Sequence, residues 1–329
     1  MTIDHDFSYD EIQRIHRILL RRFRKRPGLK SIGFGHARKE KEGGRIDEDR
    51  GLSVCFNVAK KLKPKNVPVS LAFDPQVVVR LRRGGRLQQI SLPTDIVHSP
   101  KVIGSGRRLR LETETSFRFS TCGLQVRWSE TDGSSEKPRI AFLTVGHVFR
   151  SLALNQVVEL ASSNGSFTVF GRLLARTNSN DGRDAALIEV TESSLNELAP
   201  PTHAPVRLAT KNELIQNLGK SGELLRSDGT RGFLFGVFHP SYPDIDNVGT
   251  VKDVFEGLQG SPTTFAEGTS GAVWMLDGTK VACLQTAGFP DGFDRGLGQL
   301  AINLVGWIVK TITNMGNFVP GSLKFEAAF

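Results

Sequence analysis

From Tyr9 onward, apolar residues recur at helical spacing. Ile12, Ile15, Leu19 and Phe23 form one stripe between arginines. The stripe predicts an amphipathic helix that opens at Ser8, where Glu11 three residues later completes a capping box, and closes at Pro27 and Gly28. The period then shortens to two. LKSIGFGHA and LSVCFNVAKKL read as strands joined by the polar turn KEKEGGRIDEDRG, and QVVVRLRRGGRLQQISL reads as a hairpin across Gly84 and Gly85. The first 100 or so residues therefore predict a small α+β unit. In LPTDIVHSPKVIGSG, Pro93, Pro100 and two glycines interrupt the pattern, which places a boundary there. Beyond it come short strands separated by turn clusters: FRFSTCGLQVRW, PRIAFLTVGHVF, SFTVFGRLLAR, DAALIEV, RGFLFGVF, GAVWML and KVACLQTAG. Many short strands with few helices predict an all-β barrel architecture.

A length of 329 residues fits this division into two domains, 1–100 and 101–329. The net charge of +9 is unevenly spread: Arg14, Arg17, Arg21, Arg22, Arg24, Lys25, Arg26 and Lys30 crowd the first helix and its end, and Arg80, Arg82, Arg83 and Arg86 the second hairpin. A helix with one packed and one cationic face is expected to dock on the N-terminal unit and present Arg17, Arg21, Arg24 or Arg26 to an acidic regulatory partner. Nucleic acid is the disfavoured ligand, because the segment has few aromatics for base stacking and matches no nucleic-acid module. Cys55, Cys122 and Cys283 are isolated and odd in number, which indicates neither a disulfide framework nor a zinc site, and they read as small buried hydrophobes. Apolar runs such as AFLTVGHVF are too short to cross a bilayer, and the acidic, polar start MTIDHDFSYD predicts a cytoplasmic protein. The GFG of the first strand lacks the third glycine and following helix of a dinucleotide site, and no cofactor is expected.

Three short stretches carry candidate chemistry. AEGTSGAVW holds Ser270 in a glycine-flanked turn before an apolar strand; LTVGHVF places His147 just after one; DGRDAALIEV opens a strand with Asp184. Taken singly, each has a plain structural reading: a hairpin turn, a packed histidine, an acid at a strand start. Asp181 is the rival acid, but it sits in loose turn sequence, whereas Asp184 adjoins AALI and is fixed by the strand. Taken together, the three occur in the order His, Asp, Ser along a β-rich segment, the order of a chymotrypsin-like triad.

The segment from about 105 to 316 resembles the trypsin-like serine peptidase family, with TVGH, DAALIEV and GTSGA at its histidine, aspartate and serine motifs. LQTAG (Leu284 to Gly288) resembles the family's substrate-binding strand, and LVGWIVKTITN its C-terminal helix. The resemblance implies a mainly β chain: a chymotrypsin-like double β-barrel with a C-terminal helix, preceded here by the small α+β domain. It implies a serine endopeptidase acting on protein or peptide substrates, with Ser270 as nucleophile, His147 as general base and then acid, and Asp184 as the group that orients the imidazole. Gly268 and Ser270 would supply the oxyanion-hole N–H groups, and Thr286 would donate its hydroxyl to Asp184. Thr264 would lie at the base of the specificity pocket and Ala287 and Gly288 along its wall, with Phe265 partly filling the cleft and Glu267 at its rim. No carboxylate falls at that base, so an uncharged side chain is the expected P1 residue. Thr269 stands where zymogen-type relatives carry an aspartate, so activation by N-terminal cleavage is not expected. The N-terminal unit resembles a region that precedes the peptidase domain in uncharacterised bacterial trypsin-like proteins, on SIGFG, NVAKKL and LPTDIV; this assigns it no chemistry, and the unit is read as a regulatory or adaptor domain. A catalytically inactive or latent peptidase-fold protein, acting as a binding module, is the alternative.

Overall fold

The computed structural model describes residues 7–36, 38–39, 45–46, 51–59, 73–98, 103–104, 121, 124–132, 135–161, 167–178, 180–190, 206–226, 229–246, 248–258, 264–266, 269–290 and 294–327. It opens with α1 (Tyr9–Phe23). The Ser8–Glu11 capping box forms, and Ile12, Ile15, Leu19 and Phe23 are buried as the apolar stripe requires. His16 lies on the same face, and burial, followed by the nearby His239, lowers its pKa to about 4.

The strands after α1 are β1 (Leu29–His36), β2 (Arg38–Lys39), β3 (Arg45–Ile46), β4 (Leu52–Val58), β5 (Gln76–Arg83), β6 (Arg86–His98) and β7 (Ile103–Gly104). Next come β8 (Leu124–Asp132), β9 (Ser135–Thr144), β10 (Val157–Ala161), β11 (Phe167–Arg176) and β12 (Ala186–Val190). The chain continues through β13 (Arg207–Leu208), the short helix α2 (Lys211–Gln216), β14 (Ser221–Arg226), β15 (Gly229–Ile245), β16 (Gly249–Leu258), β17 (Val273–Leu276), β18 (Lys280–Gly288) and β19 (Gly296–Leu300). It ends with α3 (Val305–Asn314) and β20 (Lys324–Ala327).

Two β units result. One is a six-stranded sheet in the order β10, β11, β12, β9, β8, β20. The other runs β14, β17, β18, β19, β16, β15 and closes on itself where β14 pairs β15, which removes both exposed edges. Between them, Leu124, Val126 and Leu187 pack with Val273, Leu284 and Ile308 of α3 in one apolar cluster.

The N-terminal strands extend the second unit, because β1 pairs β15 through Phe34 with Phe238 and Gly35 with Val237. The order continues β1, β4, β6, β5. The approach at Gly35 is close enough that a methyl group there would stand 2.4 Å from the Gly236 carbonyl oxygen. One apolar cluster joins Ile15 and Leu19 of α1, Phe34 and Phe56 of the extension, and Phe235, Phe265 and Trp274 of the barrel. Described elements on both sides of residue 100 thus share a sheet and a core, and the proposed division there concerns only how the chain divides into folding units.

The interruption expected at LPTDIV is instead continuous strand. Pro93 faces Gln76 at the last pair of β5 with β6, and from Thr94 the strand changes partner to run parallel with β4. A residue without an N–H is tolerated at such a switch. Of the cysteines, Cys55 and Cys283 are buried, burial raising the pKa of Cys283, and Cys122 lies outside the described residues.

Candidate active site

β9 is apolar on its core face and ends at Thr144, whose hydroxyl donates to the Thr121 carbonyl at 2.9 Å. His147 follows at the head of a single 3₁₀ turn, His147–Phe149. The turn lies against the start of β12: a side chain at Gly146 would meet the Ala185 carbonyl oxygen at 2.8 Å. The Thr177 hydroxyl accepts from the Ala185 N–H at 2.9 Å and fixes the strand start that carries Asp184.

Asp184 is buried and both its carboxylate oxygens engage His147. Oδ1 accepts the His147 backbone N–H at 2.7 Å, and Oδ2 lies 2.6 Å from Nδ1. This pairing places the ring proton on Nδ1 and leaves the Nε2 lone pair for a second partner. That partner is Ser270, with Oγ 3.5 Å from Nε2. Asp181 is exposed, accepts the Asn178 N–H at 2.9 Å and takes no part.

Ser270 comes from the barrel, ahead of β17. Thr269 ties back its own turn, its hydroxyl donating to the Ala266 carbonyl at 2.7 Å. Gly271 has φ +89° and its N–H donates to Gln285 at 2.8 Å, so the sharp exit from the turn needs glycine. The Thr121 N–H donates to the Ser270 carbonyl at 2.6 Å. Gly268 and Glu267 lie outside the described residues.

Two features depart from expectation. The Thr286 hydroxyl does not reach Asp184, whose oxygens are both taken by His147; it turns back to the Leu284 carbonyl at 3.4 Å. The group that holds the acid is one the sequence did not reveal, Gln299 of β19. Its Oε1 accepts the Asp184 N–H at 3.0 Å and its Nε2 donates to the Asp184 carbonyl. A polar side chain facing inward from the apolar run GLGQL was the available signal.

The residues expected to line a substrate pocket are closed off. Thr264, Phe265, Ala287 and Ser270 are fully buried. Phe265 lies between Phe233 and Trp274, each ring centroid 5.5 Å away. Its ring covers Gly296, where a methyl group would stand 2.5 Å from Cδ1. On the other side of β18, Ala287 and Gly288 pair antiparallel with Gly104 and Ile103 of β7.

No family model and no curated protein matches the chain. Among solved structures it is similar to Thermobifida fusca protease A, with 16% identity and a TM-score of 0.39 over 64% of this chain and 96% of that one. It is similar to a glutamic-acid-specific serine protease that uses a histidine triad in substrate binding, with 16% identity and a TM-score of 0.37 over 66% and 100%. It is also similar to the Nocardiopsis protease NAPase, with 14% identity and a TM-score of 0.37 over 64% and 96%. By its own topology, a six-stranded sheet, a closed six-stranded barrel and a C-terminal helix, the chain has the double β-barrel architecture of trypsin-like serine proteases.

Proposed function

We propose that the chain is a serine endopeptidase that hydrolyses peptide bonds through an acyl-enzyme, with Ser270 as nucleophile, His147 as general base and Asp184 as orienting acid. The observation that carries this reading is the buried relay from Asp184 through His147 to Ser270, at 2.6 and 3.5 Å. A serine hydroxyl is a weak nucleophile until a neighbouring base takes its proton. Here Nε2 takes the proton from Oγ as the serine attacks the carbonyl, and returns it to the leaving amine. Asp184, fixed through its backbone by Gln299, stabilises the imidazolium between those steps. An N–H at Ser270 and one at Gly268 complete the reading as oxyanion donors, each worth about 3 to 4 kcal/mol of transition-state stabilisation.

The expected substrates are proteins with an uncharged P1 residue, met in the cytoplasm, and the exposed arginines of α1 are the docking face for an acidic regulatory partner. No described helix is long and apolar enough to cross a membrane.

A second reading, a latent form, is favoured by a specific observation: the β18 edge at Ala287 and Gly288 is occupied by β7, and Ser270 is fully buried. Incubation of purified full-length protein with denatured casein tests the principal reading. Fragments formed by the wild type and absent with Ser270→Ala support it; identical fragments from both proteins contradict it.

A further inference from the structure

We propose that a pocket behind the acid of the triad binds a small dianion of the phosphoryl type, held by Arg183, Lys252 and Lys211. The proposal goes beyond the peptidase reading and does not depend on it.

The pocket has a volume of about 200 Å³, the size of a small ion with its hydration rather than of a peptide side chain cluster. Its floor is Gln299, whose amide is already committed to the Asp184 backbone. One wall is the loop that leads into Asp184. Gly182 has φ +66°, and the aliphatic stem of Lys252 lies across it, with Cγ and Cδ 3.1 Å from where a side chain would begin. The Lys252 N–H donates to the Gly182 carbonyl at 3.0 Å. Stem and backbone contacts together restrict this side chain, which lines the pocket with Arg183, so less conformational freedom is left to lose on binding.

The lining also includes Asp253, a buried acid with φ +51°. Its carboxylate is fully engaged by Tyr9 at 2.7 Å, Gln13 at 2.8 Å and Asn303 at 2.8 Å, with the Lys211 ammonium at 3.6 Å. The Tyr9 hydroxyl, its pKa raised by burial and then by Asp253, stays protonated and donates. Asp181, the other acid of the lining, points one oxygen back to Asn178. The cations have no such balance: among the described residues, neither the Arg183 guanidinium nor the Lys252 ammonium meets a hydrogen-bond acceptor or an ion-pair partner. Arg183 and Lys252 thus bring two positive charges without such partners to a polar pocket whose acids, Asp181 and Asp253, are hydrogen-bonded elsewhere, and a dianion with several acceptor oxygens would satisfy both. Bound there, it would bridge the loop of Asp184 to Lys211, which contacts Tyr9 of α1 at 3.2 Å.

The test is isothermal titration of the full-length protein with inorganic phosphate at fixed ionic strength, balanced with chloride. Wild type should bind phosphate at one saturable site. Lys252→Ala and Arg183→Ala should each weaken it at least about tenfold, the scale of one charge-assisted hydrogen bond. Lys252→Arg should retain binding, and Lys310→Ala, an exposed lysine of α3, should leave it unchanged. Both alanine changes fall on exposed side chains, and unchanged far-UV circular dichroism confirms the fold. Absence of a saturable site, or equal affinity in wild type and both alanine variants, overturns the proposal. Equal binding of malonate overturns its phosphoryl assignment.

Discussion

Replacing Phe265 by alanine removes the ring that closes the expected specificity pocket, and the surroundings dictate a large effect. The ring is fully buried between Phe233 and Trp274, and two of its neighbours, Gly257 and Gly296, have no side chains that can move into the space. Phe→Ala in a core costs about 3 to 5 kcal/mol, more where the site cannot collapse, so a loss of about 4 kcal/mol is expected. With an m-value of about 3 kcal/mol per molar, the urea midpoint should fall by about 1.3 M. The glycines supply an internal control. Gly296→Ala alone forces a methyl group to 2.5 Å from the Phe265 ring and should destabilise, yet in the Phe265→Ala background that clash is removed and only the contact with Gln285 Nε2 at 2.8 Å remains. The double-mutant cycle should therefore show a favourable coupling of about 1 to 3 kcal/mol. On the peptidase reading, the opened space should also shift cleavage toward larger apolar P1 residues. A midpoint shift below about 0.3 M, or strictly additive effects of the two substitutions, would refute this packing argument.

Four further outcomes are expected. Ser270→Ala and His147→Ala should each lower turnover by about 10⁴-fold or more, and their combination should add little; Asp184→Asn should be severe where Asp181→Asn is mild, and the reverse result would reassign the acid. Gly104→Pro should disrupt the pairing of β7 with β18 and raise the rate at which a fluorophosphonate labels Ser270; an unchanged rate would remove β7 as a brake. Intact-mass measurement should find activity in the uncut chain, because Thr269 holds the serine turn without a new N-terminus, whereas activity confined to a cleaved form would contradict this. His16 has a folded-state pKa of about 4, below that of the unfolded chain, so the unfolded state binds more protons between about pH 4 and 6.5 and stability rises with pH across that window. Wild type should lose about 2 kcal/mol between pH 7 and pH 5 in urea titrations from this residue, and His16→Leu should flatten that slope.

What the sequence revealed and what it hid divide along physical lines. The first helix, the strands LKSIGFGHA and LSVCFNVAKKL, and the Gly84–Gly85 hairpin were legible because each buries one face and its apolar period survives in the chain. β16 and β19 were not, although both are central strands of the barrel. Their glycines carry no periodic signal, and the reason for them is tertiary: Gly257, Gly296 and Gly298 make room for the rings of Phe265 and Trp274. β6 runs on past Pro93, where only the change of partner from β5 to β4 explains the proline. At the site, His147, Asp184 and Ser270 stood out by type and order, and the structure brings them together. Gln299 left only the weak signal of a polar residue in the apolar run GLGQL, because its role is a pair of hydrogen bonds to a backbone 115 residues away. Thr286 turns away from Asp184 for a related reason: a motif position fixes the residue, and the oxygens left free around it decide where its hydroxyl turns.

The central claim is that Ser270 is a nucleophile activated by His147, and covalent labelling tests it most directly. Folded wild type, Ser270→Ala and His147→Ala proteins are treated with a fluorophosphonate, weighed intact and mapped by peptide. One adduct per wild-type chain is expected, located on Ser270, with none on Ser270→Ala and labelling slowed by orders of magnitude in His147→Ala. A folded wild type and a folded Gly104→Pro protein that both remain unlabelled, or an adduct on another residue that persists without His147, would contradict it.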